Sequence, residues 1–449
     1  MLLSFRFANH RSFREEQQLN LTPVYQPGGR SGAAPAAVRV AGIFGANASG
    51  KSNVLHALAY MRRFVLRSDR EVEPGLGLTR DPFRLDTESA GAPSRYVVDV
   101  LIGGVRHTYG FSLDSERVLE EWLYHYPLRK RRRVFEREND DFEWGEESGR
   151  RTDLERVAEI TAPTALFLST AARFTQGRVP VDTADPMHDA YRWFFRFQTR
   201  LHVGLQRTPP PHYRWPDSHE DRVVVTGLLR AADVGIVDVS LKDPVPDGPL
   251  PEPSLELVAT EETGAAAARQ LRNAAIWAEL RRLQRLQFSH QGLGTHVDFD
   301  IADESAGTRQ LLELAIDASH ALRGGGTMVV DEIDASLHPM LTAKLIGLFQ
   351  RADTNPLHSQ LLFTSHDAAL LGTFDMEEVL HRDQIWFTGK DRYGASTLYP
   401  LSDFKPRKEG ENRQRRYLSG NYGGIPELSG DLFERALRAR GEIDAEPSQ

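Results

Sequence analysis

Eight consecutive residues, Gly45-Ala46-Asn47-Ala48-Ser49-Gly50-Lys51-Ser52, fit the pattern G-x-x-x-x-G-K-[ST]. Glycines at the two ends let the backbone curl, so that successive N–H groups point inward at phosphate oxygens. A helix opening at Lys51 would add its positive end to the same anion. On this reading Gly45, Asn47, Ser49, Gly50, Lys51, Ser52 and Asn53 hold ATP. Lys51 reaches the β- and γ-phosphates and the Ser52 hydroxyl ligates Mg2+. The bland alternative is a glycine turn with an exposed lysine. It fits poorly with the surroundings, because the apolar run VRVAGIFG precedes the loop and a helical pattern follows it.

A second apolar run, Thr327-Met328-Val329-Val330, ends in Asp331-Glu332. Such a run is expected to be a buried parallel strand, and the carboxyl ends of such strands are where α/β sheets place ligands. Asp331 can hold the magnesium shell, and Glu332 can orient and polarise an attacking water. Alone the pair is a weak signal; together with the glycine loop it becomes a specific one. Ser305-Ala306-Gly307 stands before this strand and leads into the helical pattern QLLELAIDASHAL. A serine at a helix start is a good N-cap, and a helix N-terminus with serine and glycine is an anion site. Since Lys51 already serves one side of a phosphate, this second site would await a phosphate from elsewhere; the plainer reading is that Ser305 only caps its helix. After the acidic strand come Ile333-Asp334-Ala335-Ser336-Leu337-His338-Pro339, then the apolar run Leu361-Leu362-Phe363-Thr364-Ser365 ending in His366. For His366 the alternative is an ordinary hydrogen-bonded histidine at a strand end.

The order of glycine loop, Ser-x-Gly helix, acidic strand, following loop and histidine resembles that of ABC-type ATPases of the SMC/RecF/OLD kind. The opening FRFANHRSF looks like their N-terminal strand pair. The pieces SAGTRQLLEL, VVDEIDASLHP, TSHD and YLSGNYGGIP together resemble the RloA/AbiL-like branch of bacterial abortive-infection ATPases. The resemblance implies an α/β fold, an ABC-type P-loop ATPase head of mixed sheet and flanking helices, split by a mainly helical insertion. It implies Glu332 as general base and His366 as the γ-phosphate sensor, with Asp331 and Ser52 on the metal. Ser305 and Gly307 would cap the γ-phosphate of nucleotide held by a second subunit, and Asp334 or Ser336 would couple the two sites. Thr308 and Arg309 stand where transporter ATPases carry a further glycine and a glutamine, which points away from transporters. No glutamine lies in Asp81–Leu85, the region that could serve as the loop supplying a further magnesium ligand.

The elements needed to position these groups can be sketched from patterning. LLSFRFANHRSF reads as strand, turn and strand, breaking at Asn9-His10; 27–38 reads as a loop rich in Gly, Pro and Ala. A helix is expected from Lys51 to about Phe64, a hairpin at Gly103-Gly104, and strands continuing through 118–145. Residues 152–172, 186–205, 218–234 and 264–288 read as helical, with prolines at 209–211 and 244–253, and HVDFDI (296–301) as a strand. The organisation expected is a head in two parts, 1–125 and 286–432, around an insertion at 126–285, with a frayed tail at 433–449.

At 449 residues, 40% hydrophobic and 26% charged, the chain can bury a core. It has no cysteine, which excludes disulfides and thiol chemistry and fits a reducing cytosol. No apolar run approaches the roughly 20 residues of a membrane helix, and the N-terminus lacks a signal-peptide pattern; a cytoplasmic protein without membrane partners is expected. The net charge of −8 argues against a surface attracting DNA throughout. Arg129–Arg133 is either a phosphate-binding run or a solvated turn balanced by nearby acids. Lys405, Arg407, Lys408, Arg413, Arg415 and Arg416 pose the same choice. Three functions share these motifs. The first is a slow, Mg2+-dependent ATPase, a homodimer or higher homo-oligomer, that senses infection and controls a separately encoded nuclease or toxin. The second is a RecF- or SMC-like repair ATPase on nucleic acid, and the third an ATP-binding scaffold.

Overall fold

The computed structural model describes residues 1–25, 37–71, 77–145, 151–175, 185–201, 215–232, 235–242, 285–406 and 411–425. Most of the expected loop at 27–38, the prolines at 209–211 and 244–253, residues 264–284 of the helix expected over 264–288, Arg407, Lys408 and the tail at 433–449 lie outside these residues. The end of that expected helix, 285–288, is strand instead, pairing with antiparallel neighbours on both sides. The chain forms two units. One comprises 1–195, 330–332 and 362–449, the other 196–329 and 333–361.

In the first unit the alternating N-terminal segment forms β1 (Leu2–Ala8), and the chain then returns as β2 (Gln17–Asn20). Asn9 and Arg11 make the turn at φ 51° each. This is the break read at Asn9-His10, with the second strand starting later than the pattern implied. β3 (Val40–Gly45) is buried along its whole length and runs into α1 (Lys51–Glu71). After the short α2 (Thr87–Gly91) come β4 (Ser94–Ile102), β5 (Val105–Leu113), β6 (Val118–His125), β7 (Arg132–Glu138) and β8 (Asp141–Trp144). They extend an antiparallel sheet in the order β2-β1-β4-β5-β6-β7-β8. The β4–β5 turn is at Gly103-Gly104, both with positive φ, as a two-residue hairpin requires.

Helices α3 (Arg151–Ile160), α4 (Phe167–Thr175) and α5 (Pro186–Phe195) complete the part of this unit that precedes residue 196. The stretch read as one helix over 152–172 is two, parted around Pro163. What fixes α4 is Glu121 of β6, which is fully buried and accepts from the Phe167 and Leu168 amides at 2.6 and 2.9 Å. Arg137 lies 3.8 Å away and Tyr109 donates at 2.9 Å. Burial pushes the Glu121 carboxyl above its ordinary ionisation range, while Arg137 and the two amides pull it back. The carboxylate thus satisfies two open amides at the start of α4.

The second unit begins with β9 (Phe197–Arg200), where helix had been expected to continue. The reason is local. Phe197 is buried, and Arg200 pairs with Asp317 at 2.8 Å and with Glu313. It continues with α6 (His219–Ala231), β10 (Ile236–Lys242), β11 (Arg285–Gln291) and β12 (His296–Asp300), the three strands forming a small antiparallel sheet. α7 (Ala306–Gly324) packs on α6 over Val225, Leu229, Leu312 and Ala315. Asp221 fastens the pair, accepting from Ser319 at 2.8 Å and pairing with Arg323.

β13 (Thr327–Val330) and β14 (Gln360–Thr364), with α8 (Pro339–Gln350) between them, begin in the second unit and end in the first. In the first unit, β14 lies beside β3. The tiny β15 (Thr373–Phe374) and β16 (Glu377–Glu378) then lead to β17 (Ile385–Lys390) and β18 (Ser396–Pro400). The order there is β18-β17-β3-β14, with β17 parallel to β3, and α9 (Arg413–Leu418) follows. The result is the mixed α/β class read from the sequence.

Candidate functional site

The glycine loop joins the buried end of β3 to the first turn of α1, the junction the phosphate reading needs. Gly50 has φ 105°, and a Cβ there would lie 2.6 Å from Ser396 Oγ and 2.9 Å from Ser12 Oγ. No other residue fits that conformation and that space. Lys51 is 5% exposed; its Nζ donates to the Gly45 and Ala46 carbonyls at 2.8 and 2.9 Å, holding the ammonium across the loop. Ser49 Oγ lies 2.6 Å from Thr388 Oγ1 on β17. Asn47 is exposed at the loop's crest, and Ser52 is half-buried in the first turn of α1. Asn53 donates to Ser12 Oγ at 2.8 Å and accepts from Arg11, which also pairs with Asp81 at 3.2 Å. The 81–85 segment therefore meets, through Arg11, the residue after the loop.

The acidic strand end belongs to the same unit. Asp331 is 2% exposed. Thr364, at the end of neighbouring β14, donates its hydroxyl to Asp331 Oδ1 at 2.6 Å and accepts from the Glu332 amide at 2.8 Å. One side chain therefore fixes both consecutive acids. Glu332 sits at φ 52°, a left-handed conformation unusual for its type. His366 follows two residues after Thr364, and its Nε2 is 3.5 Å from Glu332 Oε1. Both side chains are about 40% exposed, so a water and a phosphate could reach them. Ser52 and Asp331 offer oxygen donors, the hard ligands Mg2+ prefers.

In the second unit Ser305 N-caps α7, accepting from Thr308 N at 3.0 Å, and is exposed. Gly307 has a role the sequence did not disclose, since a Cβ there would meet the Ser336 carbonyl at 2.7 Å. Ser336, at φ 61°, therefore presses its backbone on the first turn of α7. Asp334 Oδ1 is buried and has no hydrogen-bond partner among the described residues.

In the first basic run Arg129–Arg132 are exposed, and in the second Lys405 and Arg415 are exposed, but several of the cations have partners within the fold. Arg131 stacks on Tyr124, and Arg133 pairs with Glu136 at 3.0 Å and with Glu143. Arg413 is 3% exposed and donates to the Leu380 carbonyl at 2.9 Å, and Arg416 pairs with Glu411.

Sequence reasoning did not find Ser12, Thr364, Thr388 or Ser396. Thr364 lay inside the quoted run before His366, but nothing in the run shows that its hydroxyl faces β13. Its replacement by valine, nearly the same shape, removes the bonds that the hydroxyl makes to the Asp331 carboxylate and to the Glu332 amide. We expect a stability loss of about 1–3 kcal/mol in urea unfolding and ATP hydrolysis reduced about tenfold, with Thr364→Ser near wild type in both. Equal activity of Thr364→Val and wild type would show that the hydroxyl does not hold the acids in working position.

Residues 40–372 match the family described as "AAA domain, putative AbiEii toxin, Type IV TA system". No curated protein matches the chain. Among solved structures, the chain is similar to an SMC head bound to the C-winged helix domain of ScpA, at 12% identity and TM-score 0.41, over 90% of this chain and 99% of that one. It is also similar to the SMC head domain from Thermotoga maritima, at 13% and 0.37, over 89% and 98%. A third is the Pyrococcus furiosus Smc head with extended coiled coil, bound to the C-terminal domain of ScpA, at 12% and 0.38, over 90% and 97%.

Proposed function

Because the chain belongs to this AAA-domain, AbiEii-type family, we propose that it hydrolyses Mg2+-bound ATP slowly at the loop 45–52, using Glu332 as general base. The observation that carries this is the Thr364 hydroxyl bridging Asp331 and Glu332 beside His366. Lys51 and the loop amides hold the triphosphate. Ser52 and Asp331 would hold Mg2+, which supplies charge neutralisation on the β- and γ-phosphate oxygens. Glu332 takes a proton from water as the water oxygen bonds to the γ-phosphorus. The bond from that phosphorus to the bridging oxygen breaks, leaving ADP and phosphate. His366 donates to a γ-phosphate oxygen and so registers whether the bond is intact.

Ser305 and Gly307 then serve the nucleotide of a second copy, so ATP assembles the homodimer or a higher homo-oligomer and hydrolysis releases it. Asp334 and Ser336 couple the two sites: Ser336 already rests on the turn that Gly307 opens, so a shift at one is felt at the other. Resemblance to the RloA/AbiL-like branch and the toxin–antitoxin description of the family favour a cytoplasmic defence ATPase that restrains a separately encoded effector. No helix among the described residues is long and apolar enough to cross a membrane. Phosphate release from ATP tests the core of this reading. It is expected at a slow turnover with Mg2+ and to stop when EDTA removes the metal. Undiminished release in EDTA would contradict the metal assignment of Ser52 and Asp331.

A further inference from the structure

The motif Tyr417-Leu418-Ser419-Gly420-Asn421-Tyr422-Gly423-Gly424-Ile425 plays no part in the chemistry above, yet it lies against the start of the phosphate loop. Gly420, Gly423 and Gly424 have φ of 78°, 65° and 64°, so the chain after α9 turns through three left-handed positions. At the last of them a Cβ would come within 3.5 Å of Gly45 Cα and 3.3 Å of the Thr388 carbonyl. The Thr388 hydroxyl in turn touches Ser49 of the loop at 2.6 Å.

The turn is held from several sides. Tyr417 donates its hydroxyl to the Gly424 carbonyl at 3.2 Å, and Tyr399 donates to the Tyr422 carbonyl at 3.1 Å. The Phe387 ring, on the strand that carries Thr388, stacks on Tyr417 and Tyr422 with centroids 5.4 and 5.5 Å apart. Tyr422 is fully buried, donates to Glu411 at 2.6 Å and lies under Arg416. Burial and the neighbouring Tyr399 push the Tyr417 hydroxyl up to about 12, and the Gly45 amide partly opposes them. Tyr417 is therefore a neutral donor at any working pH.

We propose that Arg413–Ile425 is a brace for the phosphate loop, in which Tyr417 and Gly424 are positioning residues that set its affinity for the triphosphate of a nucleotide. The proposal rests on the reading of 45–52 as an ATP loop. Three short links join brace and loop: Gly424 backbone to Gly45, Gly424 through Thr388 to Ser49, and the Tyr417 hydroxyl to the Gly45 amide. A brace that shifts moves the first glycine of the cradle.

The test is equilibrium binding of a fluorescent ATP analogue to the full chain, together with melting without nucleotide and turnover at saturating ATP. Tyr417→Phe keeps the stacked ring and loses the hydroxyl. It should weaken binding about five- to tenfold, the worth of one hydrogen bond, with melting within a few degrees and saturated turnover within about twofold. Gly424→Ala, strained at its φ, should weaken binding at least as much, while Leu418→Ala, at an exposed position of α9, should change nothing. If Tyr417→Phe does not fold, Gly424→Ala decides by the same criterion. The unaltered protein gives an independent reading, because hydrogen exchange at 413–425 should slow when ATP binds. Wild-type affinity in the folded brace variants, or exchange indifferent to ATP, overturns the brace. Lys51→Ala separates the two claims. If it still binds ATP, the loop reading itself fails; if it does not bind while the brace variants bind normally, only the brace fails.

Discussion

Lys51→Ala should lose ATP binding by at least about a hundredfold. The ammonium is buried and already directed across the loop by two carbonyls, at 2.8 and 2.9 Å. A phosphate entering the loop therefore meets a preorganised cation at the positive end of α1. Two charge-assisted bonds at about 1.5–3 kcal/mol each correspond to more than a hundredfold in affinity. The cleanest readout is thermal, because a ligand that binds only the folded state raises the melting temperature as its concentration exceeds its dissociation constant. Wild type should melt higher in millimolar ATP, and Lys51→Ala should not respond. An undiminished shift would mean that ATP is held elsewhere.

Glu332→Gln should fold as wild type and lose hydrolysis by about a hundred- to ten-thousandfold, the usual contribution of a general base. The amide keeps the size of the side chain. The backbone bond from residue 332 to Thr364 is untouched, so the turn at φ 52° survives. What disappears is the group that can accept the proton of the attacking water. Phosphate release under single-turnover conditions measures this directly. A rate within tenfold of wild type would remove Glu332 from the role of base and leave His366, 3.5 Å away, as the group to examine.

Legibility in the sequence followed the range of the contacts. The glycine loop is local in the chain, and its strand and helix came out where the pattern put them, at Val40–Gly45 and from Lys51. The same holds for the Gly103-Gly104 hairpin and the strand before Asp331. Thr364, Thr388, Ser12 and Ser396 escaped because what they do depends on partners far along the chain. Thr364 serves an acid 33 residues earlier, and Thr388 meets Ser49 across 339 residues. A hydroxyl next to a known motif gives no sign of which neighbour it will meet. β9 was read as helix because its four residues carry no periodicity of their own; its ion pairs with Glu313 and Asp317 decide its place. The basic runs were legible as charge but not as structure, since Arg413 is buried and Arg416 is paired.

Gly307 shows how one residue can answer to two demands. The sequence gives it to a phosphate, while the structure shows that a side chain there would strike Ser336. Its substitution is therefore a poor probe of phosphate binding, because loss of function could follow from misplacing the loop 333–338. Ser305 is the better probe. Aspartate caps helices as well as serine does, so Ser305→Asp keeps the bond to Thr308 N and adds a negative charge where a phosphate is proposed to dock.

If ATP held by the loop of one copy is completed by Ser305 of another, the mass of Glu332→Gln in solution must respond to ATP. Light scattering behind a sizing column, with and without Mg2+-ATP, should show the variant gathering into a dimer or larger assembly only when ATP is present. Adding Ser305→Asp should return it to the ATP-free mass with its melting temperature unchanged. If the mass ignores ATP while wild type still hydrolyses it, the site works within one chain or a standing oligomer, and the shared-nucleotide mechanism is contradicted.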